Sequence, residues 1–207
     1  MRWVNGFAER HGQIGPLAGA LTWSPAPGSV TLSATDGATA VLEPFAGGLS
    51  GPGGSDTLAD WARPPRRLGL ILVRRGGYAV GLARGPELIG HKVGTRYVQS
   101  RTAAGGWSQH RFARRRDNQA DALVGSVIEH ARAVVLASPT DALVVGGDRS
   151  LVREVLADPR LATLAHLPRR ELFDLPDPRL VVLNKALRRG RAVRVTLCEP
   201  GAKVVDS

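Results

Sequence analysis

Leu68-Gly-Leu-Ile-Leu-Val-Arg74, Tyr78-Ala-Val-Gly-Leu-Ala83 and Leu88-Ile-Gly-His-Lys-Val-Gly-Thr-Arg-Tyr-Val-Gln99 follow one another closely, with Gly76-Gly77 and Gly85-Pro86 as the breaks. Apolar-rich runs of this length bounded by Gly and Pro read as strands. Breaks this short make sequential strands antiparallel neighbours, so the stretch predicts a three-stranded meander. Downstream, 111–134 contains no proline and spaces Phe112, Leu123, Val127, Ala131 and Val134 at helical intervals, which predicts one long helix. A short buried strand at 142–145 follows, then a helix capped by Asp148 and running to residue 157. A strand at 171–174, a helix over 178–188 and a last strand at 191–197 complete the reading. This order is that of a ribonuclease H-like α/β sandwich with a mixed sheet, although periodicity alone leaves other α/β layouts open.

Upstream of the meander, 29–33 and 38–42 are short strand-like runs around Thr35-Asp36-Gly37, whose Asp-Gly pair favours a tight hairpin. Residues 44–54 contain five glycines and two prolines and read as a linker or surface loop. The expected organisation is therefore a small N-terminal lobe over 1–54 and a larger α/β domain over 55–207. That domain would open with a short helix at 55–62 begun by Ser55 or Asp56.

The 207 residues are enough to bury a real core. Hydrophobic and charged fractions of 43% and 22% are those of a soluble globular chain, while 25 Gly and 14 Pro imply several loops. Basic residues outnumber acidic ones 28 to 18, a net charge of +10 carried mostly by arginine, which suits a polyanion such as nucleic acid. Cys198 is the sole cysteine, so no disulfide framework or cysteine-based zinc site is available and a reducing cytoplasm is the expected home. Arg2, Glu9 and Arg10 interrupt the first eleven residues, so no signal peptide is visible there. No later run reaches the roughly 18 apolar residues needed to span a bilayer. A monomer without cofactor or metal is expected.

The chemistry-bearing stretch is Arg101-Thr-Ala-Ala-Gly105-Gly106-Trp107-Ser108-Gln109-His110, followed by Arg111-Phe112-Ala-Arg114-Arg115-Arg116. Four arginines precede any acid on the helix. A helix N-terminus already carries partial positive charge, so this placement is locally unfavourable and calls for a compensating partner outside the helix. Arg116 falls close to the stripe of Phe112, Leu123 and Val127, which implies that the first turns project beyond the sheet. A projecting basic helix start behind a Gly-Gly loop suits a narrow, phosphate-lined space; a solvated basic face is the plainer reading. Gln109 has no titratable group, but its amide can hold a water or stabilise developing negative charge on oxygen. Orientation of a water against an activated ester can supply several kcal/mol, and peptidyl-tRNA carries such an ester.

Gly105, Gly106, Trp107, Ser108 and Gln109 with the Arg-rich helix resemble the Vms/ANKZF-like peptidyl-tRNA hydrolase family, particularly its short actinobacterial branch. That family is similar to the central domain of eukaryotic and archaeal peptide-chain release factors. The resemblance implies hydrolysis of the ester between nascent peptide and tRNA at the ribosomal peptidyl-transferase centre, as a rescue of stalled large subunits. It implies Gln109 as the catalytic glutamine and Gly105 and Gly106 as the flexible pair. Ser108 would flank the glutamine, and Arg111, Arg114, Arg115 and Arg116 would face 23S rRNA or tRNA. The sequence departs from the release-factor tripeptide Gly-Gly-Gln, because Trp107 and Ser108 stand before Gln109. The similarity covers 68–188 by element order and 105–119 at the residue level.

Other chemistries fit less well. A two-metal nuclease needs clustered carboxylates, one of them on the first strand, and 68–74 has none. Asp117, Asp121, Glu129 and Asp148 read better as solvated or arginine-paired acids. His11, His91, His110, His130 and His166 lack ligand spacing; His110 adjoins Gln109 and reads as a polar linker. The Gly106 to His110 stretch lacks the second glycine of a nucleophile elbow, and no Walker loop occurs. Trp107 fits stacking on a base as well as packing against its own domain. The rival class is a non-catalytic rRNA- or tRNA-binding module that merely docks on the ribosome.

Overall fold

The computed structural model describes residues 2–12, 22–26, 29–45, 62–95 and 108–200, with the backbone alone over 22–26 and 108–119. In chain order the described elements begin with α1 (Arg2–His11), β1 (Thr22–Ala26), β2 (Ser29–Ser33) and β3 (Thr39–Glu43). The strands β4 (Arg67–Arg74), β5 (Gly77–Arg84) and β6 (Glu87–Thr95) and the helix α2 (Ser108–Val134) follow. Then come β7 (Ala142–Gly147), α3 (Arg149–Ala157), a 3-10 turn (Pro159–Leu161) and α4 (Ala162–Ala165). β8 (Arg169–Leu172), α5 (Leu180–Arg191) and β9 (Arg194–Cys198) complete the described elements. The helix expected at 55–62 falls, but for Ala62, outside the described residues, as do 96–99 of the third expected strand.

The chain divides into two compact units, Met1–Pro64 with Ala192–Ser207, and Pro65–Arg191. The expected two-part organisation is thus redrawn: the boundary lies ten residues later than 54, and the last strand leaves the second part. β9 pairs antiparallel with β3, completing a sheet of order β1-β2-β3-β9. The reason is side-chain alternation. Val195 sits opposite Leu42 and packs against this unit's core, while Leu197 opposite Ala40 stays exposed. The β2–β3 hairpin forms around Gly37 at φ 93, with the Ala34 N–H donating to the Ala38 carbonyl at 2.8 Å and Asp36 accepting from the Ala38 N–H at 2.9 Å. α1, not foreseen from the sequence, lays Val4, Phe7 and Ala8 on Val30, Leu32, Ala40 and Leu42.

In the second unit the sheet order is β6-β5-β4-β7-β8, and β5 alone runs against the other four strands. That is the ribonuclease H-like arrangement. The six residues Leu68 to Val73 of β4 are all buried, as a central strand covered on both faces requires. One face, with Ile71, Val73, Tyr78, Val80, Leu143 and Val145, packs under α2 and α3. On α2 the buried residues Leu123, Val127 and Ala131 recur at helical intervals, each large one worth roughly 2 kcal/mol of burial. α5 covers the opposite face through Val182, Leu183, Ala186 and Leu187. Two glycines admit it: a Cβ on Gly81 would meet Leu183 Cδ2 at 3.1 Å, and one on Gly190 would overlap Val144 Cγ2.

Candidate functional site

The helix carrying the arginines begins at Ser108, three residues earlier than the sequence pattern indicated. Ser108 and Gln109 therefore belong to its first turn and not to the preceding loop. No Gly or Pro occurs between Ser108 and Gly125, so nothing in the chain breaks the helix before it reaches the polar residues upstream of Phe112. Gly105, Gly106 and Trp107 lie outside the described residues. Arg111, Arg114, Arg115 and Arg116 follow on the same helical backbone, and no acid stands in its first turn.

Length decides where that end lies. At 1.5 Å per residue the 27-residue α2 measures about 40 Å, against about 27 Å for the eight-residue β4. The C-terminal part of the helix is fixed on the sheet. Leu123, Val124, Val127, Ile128 and Ala131 are buried, and the following Val135 reaches the β4 backbone at Gly69. His130 stacks on Tyr78, which pairs with Val73 near the other end of β4. α2 therefore runs opposite to β4. The surplus length extends past the C-terminal ends of β4 and β7, the end where open α/β sheets carry their sites. Gln109 lies 14 residues before the buried Leu123, about 21 Å along the axis. Unpaired N–H groups of a first helical turn and the helix dipole make this a position that favours negative charge.

Several polar groups near that end of the sheet have partners of their own. Asp148 is the N-cap of α3, accepting from Ser150 Oγ at 2.6 Å, the Ser150 N–H at 2.9 Å and the Leu151 N–H at 3.4 Å. The Ser150 hydroxyl, ahead of the backbone donors, holds its carboxyl below the usual aspartate range although burial acts the other way. Arg74 reaches Asp177 at 3.5 Å and donates to the Leu175 carbonyl at 3.3 Å. Arg149 lies 4.1 Å above the Phe173 ring and 3.7 Å from Glu171. Glu129, considered as a metal ligand on sequence grounds, is bridged by Arg160 at 2.6 Å and Arg132 at 3.6 Å. Among the described residues no three His, Cys, Asp or Glu side chains gather in a way that could hold a metal ion. None of the helices there is long and apolar enough to cross a membrane.

The histidines go to separate places. His11 bonds Asp36 at 2.8 Å and lies against Phe7, His91 is exposed on β6, His110 is on the first turn of α2, and His166 ends α4. His130 has a role that sequence reasoning missed, stacking on Tyr78 with ring centroids 5.4 Å apart.

A mixed sheet in which one strand opposes four, crossed by a long helix, defines a ribonuclease H-like domain. The model of the Actinobacteria/chloroflexi VLRF1 release factor family matches residues 66–196, and the chain belongs to that family. Among solved structures it is similar to a Vms1 mitochondrial localization core, at 13% identity over 81% of this chain and 76% of that one, with TM-score 0.49. It is also similar to an archaeal translation termination factor, aRF1, at 16% identity and TM-score 0.41, covering 77% of this chain and 48% of that factor. The chain thus spans about half the length of the archaeal factor. No curated protein matches.

Proposed function

We propose that this chain is a peptidyl-tRNA hydrolase that acts at the peptidyl-transferase centre of the large ribosomal subunit and frees nascent peptides from stalled complexes. The observation that carries the reading is the place of Gln109. It stands in the first turn of a helix that outruns its sheet and has four arginines on its next two turns. Arg111, Arg114, Arg115 and Arg116 would pair with 23S rRNA or tRNA phosphates, with Trp107 and Ser108 beside them against RNA. Gly105 and Gly106 would give the approach its freedom. The Gln109 amide would hold a water against the ester carbonyl carbon. The water oxygen forms the new C–O bond, the bond to the tRNA ribose oxygen breaks, and the water's protons end on the ribose hydroxyl and the peptide acid. Helix N–H donors would favour the oxyanion formed on the way. No cofactor is needed for this chemistry, and its target would place the protein in the cytoplasm.

The test is peptide release from ribosome-bound peptidyl-tRNA. Gln109→Ala is expected to abolish release while ribosome binding persists. Release by that variant at the wild-type rate would remove Gln109 from the chemistry, and binding without release by the wild type would make the chain a docking module instead.

A further inference from the structure

The edge strand β6 presents two glycines, Gly90 and Gly94, to the face of the sheet that α2 covers. A Cβ on Gly90 would meet Val134 Cγ1 at 3.6 Å, and one on Gly94 would overlap Cε1, Cζ and the hydroxyl oxygen of Tyr78. Tyr78 sits directly opposite Gly94 in the β5–β6 register, and its ring lies across that bare backbone. On Tyr78 in turn stacks the His130 imidazole of α2, with an interplanar angle of 24°. Strand backbone, phenol ring and imidazole thus form three layers between the edge strand and the helix. Tyr78 is 6% exposed and belongs to the core cluster, whereas His130 is half-buried at its margin.

The place of this joint gives it consequences beyond packing. Gly94 precedes Thr95, the last residue of β6, from which the chain proceeds through 96–107 to Ser108. His130 lies 21 residues from Gln109 on one continuous helix, about 32 Å along its axis. The same three residues therefore join the end of β6 to the seat of the helix that bears Gln109. A helix held over its C-terminal half acts as a lever, so a small change in the seat moves its free end further.

We infer that Tyr78, Gly94 and His130 are positioning residues for Gln109, setting the line along which α2 presents it; this rests on the reading of Gln109 as the acting residue. A misplacement of about 1 Å at a reacting group costs on the order of a hundredfold in rate. The stack should therefore be felt in the rate of release and not in ribosome affinity.

The experiment uses the full chain with Cys198→Ser and nitroxide labels on Glu87→Cys and Ala113→Cys. Inter-label distances by pulsed electron paramagnetic resonance are compared with the rate of release at saturating protein and with ribosome affinity. His130→Ala and Gly94→Ala are expected to shift or broaden the distance and to lower the release rate by roughly tenfold to a hundredfold, with affinity within about twofold of wild type. His130→Phe, which keeps a ring over Tyr78, is expected to recover both. Should Gly94→Ala fail to fold, the His130 pair decides alone. An unchanged distance, a fall in affinity parallel to the rate, or a Phe variant as impaired as the Ala variant overturns the inference. A wild-type chain that releases no peptide overturns the hydrolase reading instead, and the label distances still decide the joint.

Discussion

The Asp148 carboxylate ties together the end of β7 and the start of α3 through three hydrogen bonds to Ser150 and Leu151. An N-cap of this kind contributes about 1 kcal/mol, so Asp148→Ala should lower Tm by roughly 2–4 °C in scanning calorimetry. Its pH dependence has a definite sign. The folded pKa is depressed, chiefly by the Ser150 hydroxyl, below the unfolded value of about 3.9, so the stabilisation is present in full above that value. It is lost as pH falls through the folded pKa. The stability gap between wild type and Asp148→Asn should therefore be constant near neutrality and close on acidification below about pH 4; a gap that widens there contradicts the assignment. Asp148 was legible in the sequence because a capping acid announces itself just before an apolar helical run. The Tyr78–His130 stack was not, since two aromatic residues 52 positions apart carry no local sign that they meet, and His130 alone looks like any surface histidine.

α2 is the element on which the functional reading turns. Its buried stripe was readable from Leu123, Val127 and Ala131. Its start was read three residues late, because Ser108, Gln109 and His110 have no apolar residue to mark a period. In the proposed reaction that small difference counts, since it sets Gln109 on helical backbone in the first turn. If the arginines meet phosphates, replacing Arg115 and Arg116 together with Ala should weaken ribosome binding. The slope of log affinity against log salt should then fall by about 1 for each lost contact. Equal slopes for variant and wild type would return these residues to a solvated face.

At the scale of the whole molecule, the two ends of the chain build one unit and its middle builds the other. The β4–β5–β6 meander was readable because its strands are close in sequence and joined by short turns. The pairing of β9 with β3 was hidden, because about 150 residues separate them and an alternating strand suits the edge of any sheet. Deleting residues 192–207 should bare the β3 edge and speed amide hydrogen exchange across β2, β3 and α1, while β4 and β7 keep their protection. Equal loss of protection in β4 would contradict the division. In the proposed reaction, water held by an amide and by no ionisable group of the protein cleaves the peptidyl-tRNA ester. That step is tested most directly by running the release reaction in heavy-oxygen water and weighing both products. The prediction is a free peptide bearing one solvent oxygen at its new carboxyl end and an intact tRNA, neither of them formed by Gln109→Ala. A peptide released with a nucleotide still attached, or without solvent oxygen, would contradict it.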